Sequence, residues 1–305
     1  MTVHAHPDDE TIGTGGVMAR AVAEDRRVIL VTCTRGELGD IVVPELDTPD
    51  NQRRLGEIRA GELEAAMSEL GVTEWENLGY RDSGMVGTPG NHDPRSFWRA
   101  DPDEAVGRLV WLVRRYQSDV MTTYNEFGGY GHPDHIRTHV VAVGAFARAG
   151  DAAWYPEQLA PEFGGTGPAL DDGGLAPWTP SKLYEQAWST ELRTKMAERL
   201  EALGVRSFWS PPENATPEQL EAHREWMRRI TVADKAITTW VDVDAFLEAR
   251  FRAMRRHVTQ IAADWPLLAI GVDGWREFGR FETFVLRESR VPVDLPESDL
   301  FAGLG

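Results

Sequence analysis

Residues 26–34, RRVILVTCT, are apolar almost without interruption. A strand with one wet face alternates polar and apolar residues. A continuous apolar run of this length fits a strand buried on both faces, as in a parallel sheet covered by helices. Its surroundings agree. MTVHA at the start reads as a short strand, followed by a helix near residues 15–24. A helix over 52–70, with Ile58, Leu63, Ala66, Met67 and Leu70 on one face, leads to a strand at 75–80. A helix at 101–116, a strand at 118–124 and a helix at 133–148 follow. Strand–helix alternation of this kind gives βαβ units with right-handed crossovers. The expected fold is α/β, a Rossmann-like, doubly wound, mostly parallel sheet.

After Gly150 the texture changes. Residues 160–180 are rich in glycine and proline and read as an irregular excursion. SKLYEQAW is a candidate strand. ATPEQLEAHREWMRRI is a helix whose start is written out: Thr216 as N-cap, Pro217 at the first helical position, Gln219 completing a capping box. AITTWVDV is another strand, and 244–262 an amphipathic helix. The expectation is a single domain over 1–305. Its core is 1–150, and 151–305 form an extension packed on the same domain.

Composition excludes several classes. At 305 residues the chain can bury a sizeable core, and 42% apolar with 27% charged residues is ordinary for a soluble protein. A formal charge of −17 repels phosphate backbones, so nucleic acid is not an expected partner. No run approaches the roughly 18 apolar residues of a membrane span, and no charged-then-apolar leader is visible. The single cysteine, Cys33, excludes an internal disulfide and fits a reducing compartment, so the expected location is cytoplasmic. Set in its apolar run, Cys33 reads as a small buried hydrophobe. A homo-oligomer is compatible with all of this.

Two polar motifs stand out. HPDD (6–9) follows the first strand and opens the first helix; HPDH (132–135) follows the fourth strand and opens its helix. In a doubly wound sheet these carboxyl ends meet at the switch point, where such folds bind ligands. Two imidazoles and a carboxylate around an open position suit a catalytic metal, and His6, Asp9 and His135 make such a set. Asp8 is then free to act as general base, and His132 to donate to a developing oxyanion. Either aspartate could instead cap a helix, and His132 could be a loop residue. His139 reads as structural and His4 as packed. His92, His223 and His257 read as surface groups.

AHPDDE with GGYGHPDH resembles the LmbE-like, or PIG-L, zinc deacetylases. VTCTRGELGD, RLGEIRAGEL, YRDSGMVG, HVTQI and the ending ESDLFAGL extend the likeness over most of the chain. The branch it is most similar to includes mycothiol S-conjugate amidase and the N-acetylglucosaminyl-inositol deacetylase. The resemblance implies zinc on His6, Asp9 and His135, a ligand set that ferrous iron also suits. It implies Asp8 as base and His132 as stabiliser of the tetrahedral intermediate. It also implies that Asp134 orients His132 and that Tyr130 lies near the reacting carbonyl. Arg59 and Asp82 would hold sugar or inositol hydroxyls, with Asp40 close to the substrate. Read without the resemblance, Arg59 is a solvated helix residue and Asp82 a turn residue. Gly13 departs from the pattern: both mycothiol enzymes carry a polar or basic side chain there. The implied activity is hydrolysis of an N-acyl group on an N-acetylglucosamine-type conjugate, or of the amide of a thiol conjugate. Two other classes compete. One is a non-haem iron oxygenase, whose two-histidine, one-carboxylate triad His6-x-Asp8 imitates. The other is a non-catalytic metal- or sugar-binding protein.

Overall fold

The computed structural model describes residues 1–160, 175–206 and 209–304. Most of the irregular segment read at 160–180 therefore lies outside the described residues. Among those described, one sheet holds seven strands: β1 (Thr2–His4), β2 (Ile29–Thr34), β3 (Glu74–Tyr80), β4 (Val120–Thr123), β5 (Lys182–Ala187), β6 (Thr239–Asp242) and β7 (Phe281–Ser289), in the order β3-β2-β1-β4-β5-β7-β6. The first five in that order are parallel, with Val3 opposite Val31, Thr2 opposite Thr122 and Val120 opposite Lys182. The chain moves outward from β1 through β2 to β3, then restarts on β1's other side at β4. That reversal is the switch point expected from the sequence.

The helices are α1 (Asp9–Gly13), α2 (Gly15–Ala23), α3 (Pro49–Arg53), α4 (Leu55–Leu70), α5 (Pro102–Tyr116), α6 (Pro133–Arg148), α7 (Thr190–Ala202), α8 (Pro217–Ile230), α9 (Leu247–Met254), α10 (Pro266–Ala269) and α11 (Gly271–Phe278). They cover both faces of the sheet, and all six residues of β2 are buried. Val31 and Cys33 pack with Leu109 and Val113 of α5 and Val141 and Ala145 of α6. Leu30, pointing the other way, meets Met18, Ala66 and Met67. Both faces of β2 are thus spent on core, which is why its sequence does not alternate. Burial pushes the Cys33 thiol up to about 12, consistent with an inert core residue.

The second half departs from expectation in three places. The helix expected over 244–262 runs only Leu247–Met254 after a 3-10 turn, and the chain then turns rather than coils. Helices α7, α10 and α11 are additions. So is β7, which runs antiparallel between β5 and β6. The capping box of α8 is present as read, with Thr216 Oγ1 accepting from Gln219 N and Gln219 Oε1 from Thr216 N.

Glu282 explains why β7 escapes a sequence pattern. An acid in mid-strand reads as a wet face, yet here it is 4% exposed. Its carboxylate accepts from the backbone N–H of Gly16 and Val17, at 2.7 and 2.8 Å, at the start of α2. Arg250 of α9 pairs with it at 3.1 Å. The N-terminus of α2 carries partial positive charge and unsatisfied donors, so a buried carboxylate is stable there. A residue near the end of the chain thereby fixes the helix that follows the first polar motif. Glu282→Ala strips the acceptor from two buried N–H groups and the counter-ion from Arg250. It should cost about 3–5 kcal/mol in urea denaturation. Glu282→Gln, which keeps one acceptor oxygen, should cost clearly less.

Candidate active site

The site forms where β1 and β4 end. β1 stops at His4, and the chain turns through His6, Pro7 and Asp8 into α1. Asp8 has φ 106°, a region that favours glycine; an aspartate held there stores about 1–3 kcal/mol. Three contacts hold it. Its N–H donates to Glu10 Oε2 at 2.8 Å, its carbonyl accepts from Thr11 N at 3.1 Å, and its carboxylate lies 3.4 Å from the Arg59 guanidinium. Glu10 Oε1 in turn meets His257 Nε2 at 2.7 Å, with both residues fully buried. Opposite, β4 leads through a glycine-rich loop to His132, the N-cap of α6. Gly128 in that loop has φ +66°, and a Cβ there would stand 2.6 Å from His135 Cβ, so only glycine lets the loop fold over the histidine.

The two motifs converge. Asp9 Oδ2 lies 3.4 Å from His6 Nδ1 and 3.3 Å from His135 Nε2. Donor atoms bound at about 2.1 Å to a tetrahedral ion lie about 3.4 Å apart, so this spacing fits a metal. Two groups have three ligand atoms mutually within 4.8 Å, His6–His132–His135 and His6–Asp82–Asp134, and Asp9 belongs to neither. A His/Asp group able to hold a metal is therefore present. Existing bonds distinguish its members. His132 Nδ1 accepts from Asp134 N at 3.1 Å as the helix cap. Asp82 accepts from Gly84 N and Leu38 N, and Asp134 from Ser83 N and Ser83 Oγ. Asp9, by contrast, spends its Oδ2 on the two imidazoles and the His6 N–H.

The electrostatics follow from this crowding. Burial works against charge on His6, but Asp82, Asp134 and Asp9 outweigh it and hold the ring well above its ordinary pKa. Burial likewise opposes ionisation of Asp9, and His135 and His6 outweigh it, so Asp9 sits well below the usual carboxylate range. Asp8 goes the other way: burial lifts it to about 6 against the pull of Arg59. His132 is pushed down to about 2, first by burial and then by His6 and His135. It is a neutral imidazole. With Nδ1 accepting at the helix cap, its hydrogen is on Nε2.

These groups line a cavity of about 570 Å³, within the range of small-molecule sites. Asp8, Tyr130 and His132 stand in its wall; Asp40, exposed, is also in the lining. Tyr130 Oη is 3.5 Å from His135 Nε2. All ten residues singled out in the sequence border this cavity except Asp134, which lies behind it. The Asp134 carboxylate does not reach the His132 ring. It bonds His6 Nε2 at 3.2 Å, and only its backbone N–H touches His132. Arg59 is not a solvated helix residue: it is 3% exposed and donates to the carbonyls of Pro7 and Gly36, bracing the loops after β1 and β2. His257 is not a surface group, since it ends the buried chain through Glu10 to Asp8. His4 and His139 are packed as expected, His139 Nδ1 lying 2.9 Å from Tyr124 O. Missed altogether was the aromatic wall of Trp188, Trp209 and Trp226. Tryptophans scattered over 188–226 carry no spacing signal.

Residues 1–146 match the family model described as PIG-L, GlcNAc-PI de-N-acetylase. A 1D-myo-inositol 2-acetamido-2-deoxy-alpha-D-glucopyranoside deacetylase of Geodermatophilus obscurus is 42% identical, over 100% of this chain and 97% of its own length. Among solved structures, the N,N'-diacetylchitobiose deacetylase of Pyrococcus horikoshii superposes with a TM-score of 0.60 at 20% identity, covering 93% of this chain and 82% of that one. GalB, a 4-carboxy-2-hydroxymuconate hydratase from Pseudomonas putida, superposes at 0.52 with 18% identity, over 96% of this chain and 98% of its own. A deacetylase and a hydratase thus share this fold, and the fold alone does not choose between them. The sequence does: at 42% identity over its full length, the chain belongs to the PIG-L family of amide-hydrolysing de-N-acetylases.

Proposed function

We propose that this protein removes the acetyl group from an N-acetylglucosamine-type sugar carried on a small polyol aglycone. The observation that carries this reading is the Asp9 carboxylate set between His6 and His135, with Asp8 and His132 beside it in the cavity wall. The activity named for the relatives supports deacetylation over cleavage of a thiol conjugate. The parallel sheet and those relatives disfavour the oxygenase and the non-catalytic binder. We further propose one functional unit over 1–305, with zinc as the metal and ferrous iron as its competitor.

His6, Asp9 and His135 would hold the metal, which when bound polarises the amide carbonyl and acidifies the attacking water. Asp8, lifted toward neutrality by burial, takes the proton from that water. His132, neutral and with its hydrogen on Nε2, donates to the oxygen that gains charge as the carbonyl carbon becomes tetrahedral. Its helix cap fixes the tautomer in advance, so no reorganisation is needed. Tyr130, beside His135, adds a second donor, its hydroxyl. Asp134 steadies His6 rather than His132. Asp40, Arg59 and Asp82 face the sugar hydroxyls, although the bonds Arg59 and Asp82 already make leave only part of each for substrate.

Primary-amine release should be largest from the inositol glycoside of N-acetylglucosamine in a panel with free N-acetylglucosamine, N,N'-diacetylchitobiose and a mycothiol conjugate. Preference for the last would reverse the deacetylase assignment. Metal analysis should separate the adjacent aspartates: Asp9→Ala loses bound metal, whereas Asp8→Asn keeps it and loses most of kcat. Retained turnover in Asp8→Asn would remove Asp8 as the base. His132→Ala should lower kcat by about 10²–10³-fold with metal retained. A change confined to KM would make it a substrate-binding group.

A further inference from the structure

The cavity has a second polar feature on the side built by β5 and α7. Arg193 is 5% exposed. Its guanidinium lies over the rings of Trp188 and Trp209, 4.7 and 4.1 Å from their centroids. Aromatic rings cover the flat faces of a guanidinium but do not satisfy its in-plane N–H donors. Arg193 Nε and Nη1 are buried and meet no acceptor among the described residues. Among the described residues no acid compensates the burial, although the chain has 49 acidic against 32 basic residues. Desolvation lowers its pKa to about 9, so it stays cationic at neutral pH.

Two neighbours share this condition. Gln186 Nε2 and Trp275 Nε1 are also buried donors without a partner among the described residues. All three residues line a side pocket of about 50 Å³, and that pocket shares Gln186, Trp188 and Arg193 with the main cavity. Two acceptor side chains in its wall, Glu282 and Ser189, are already engaged. Glu282 is held by Gly16, Val17 and Arg250, and Ser189 Oγ accepts from Leu192 N and donates to Asp234. Gly13 completes the arrangement: a Cβ there would stand 2.3 Å from Gln186 Oε1, so a side chain at 13 would displace the amide. A buried cation with unpaired donors is costly, and an anionic oxygen group would supply what it lacks. The side pocket is small enough to take one such group and opens to the cavity where the amide would be cleaved.

We propose that Arg193 and Gln186 form a subsite for an anionic oxygen group, carboxylate or phosphate, on the aglycone of the amino-sugar substrate, a proposal that rests on the de-N-acetylase reading above. The cost of desolvating the guanidinium is met in folding, so the ligand gains the interaction without repeating it. Arg193→Met keeps the aliphatic packing on the tryptophans and removes the charge. Because an unpaired buried charge destabilises, its Tm should equal or exceed the parent's.

Two arms test the proposal on metal-loaded protein. In the first, kcat/KM is compared for N-acetylglucosaminides whose aglycone is neutral, carboxylated or phosphorylated. The parent should prefer one anionic glycoside over the neutral one by at least about tenfold, and whichever it is distinguishes carboxylate from phosphate. Arg193→Met should abolish that ratio, Arg193→Lys should restore part of it, and Gln186→Leu should reduce it. In the second arm, calorimetry with inorganic phosphate and with succinate should show binding to the parent that weakens at least tenfold in Arg193→Met. Equal affinity in both proteins would place the anion at the metal and overturn the subsite, as would a parent with no anionic preference. If the parent cleaves none of the glycosides, the deacetylase reading fails, and the calorimetric arm alone decides whether Arg193 binds an anion.

Discussion

Five carboxyl groups, those of Asp8, Asp9, Glu10, Asp82 and Asp134, crowd the ends of β1 and β4, largely out of water. Like charges at this density cannot be buried without compensation. Arg59 supplies one cation, His257 faces Glu10, and His6 is held protonated by the three aspartates around it. The field that keeps a proton on His6 is the field that would hold a divalent ion in its place. Metal binding at His6 would displace that proton, which would make affinity pH-dependent. Asp8 differs from its neighbours because no imidazole reaches it. Its chief partner is a guanidinium already shared with two carbonyls, so burial dominates and its pKa rises. The environment, not the residue type, would separate the proposed ligand from the proposed base.

The same cluster ties the two halves of the chain together. Asp8 needs an unfavourable backbone angle to face the cavity, and it is held by Glu10, whose other oxygen belongs to His257 beyond α9. Arg250, from α9 itself, donates to the carbonyls of Thr11 and Ile12 and pairs with Glu282 of β7. The extension after residue 150 therefore fixes the geometry of the first loop as well as widening the sheet. A change in packing around α9 should reach Asp8 through two hydrogen bonds, without touching any group in the cavity.

How much of this was legible follows from where the information lies. β2 could be read from residues 26–34 because burial on both faces leaves a local signature. The pairing of β1 with β4, and hence the meeting of HPDD with HPDH, followed from topology rules that act on element order alone. Helix α6 was readable because Pro133 marks its start; that His132 caps it emerged only from the structure. β7 was not, since Glu282 breaks its apolar pattern for a reason found 266 residues away. His257 and Arg193 were not either. A buried charged residue looks like a surface one until its surroundings are known, and Arg59 shows the same ambiguity in the opposite half.

The division of labour in the cavity follows from this asymmetry. The groups proposed to break the amide come from two short loops on the first half, each set by a strand end and a helix start, and each carrying a motif. Groups that would distinguish one aglycone from another come from β5, α7 and α8, whose residues are fixed by long-range packing and carry no motif. Catalytic parts must keep a narrow geometry and so leave a sequence trace, whereas a wall of tryptophans around one arginine can be assembled from many spacings. The side chain missing at Gly13 sits at the border between the two. The family resemblance implies a polar or basic side chain at that position. Here Gln186, from the other half, occupies the space, so under the proposed subsite contact with that part of the substrate would come from the extension rather than from the first loop.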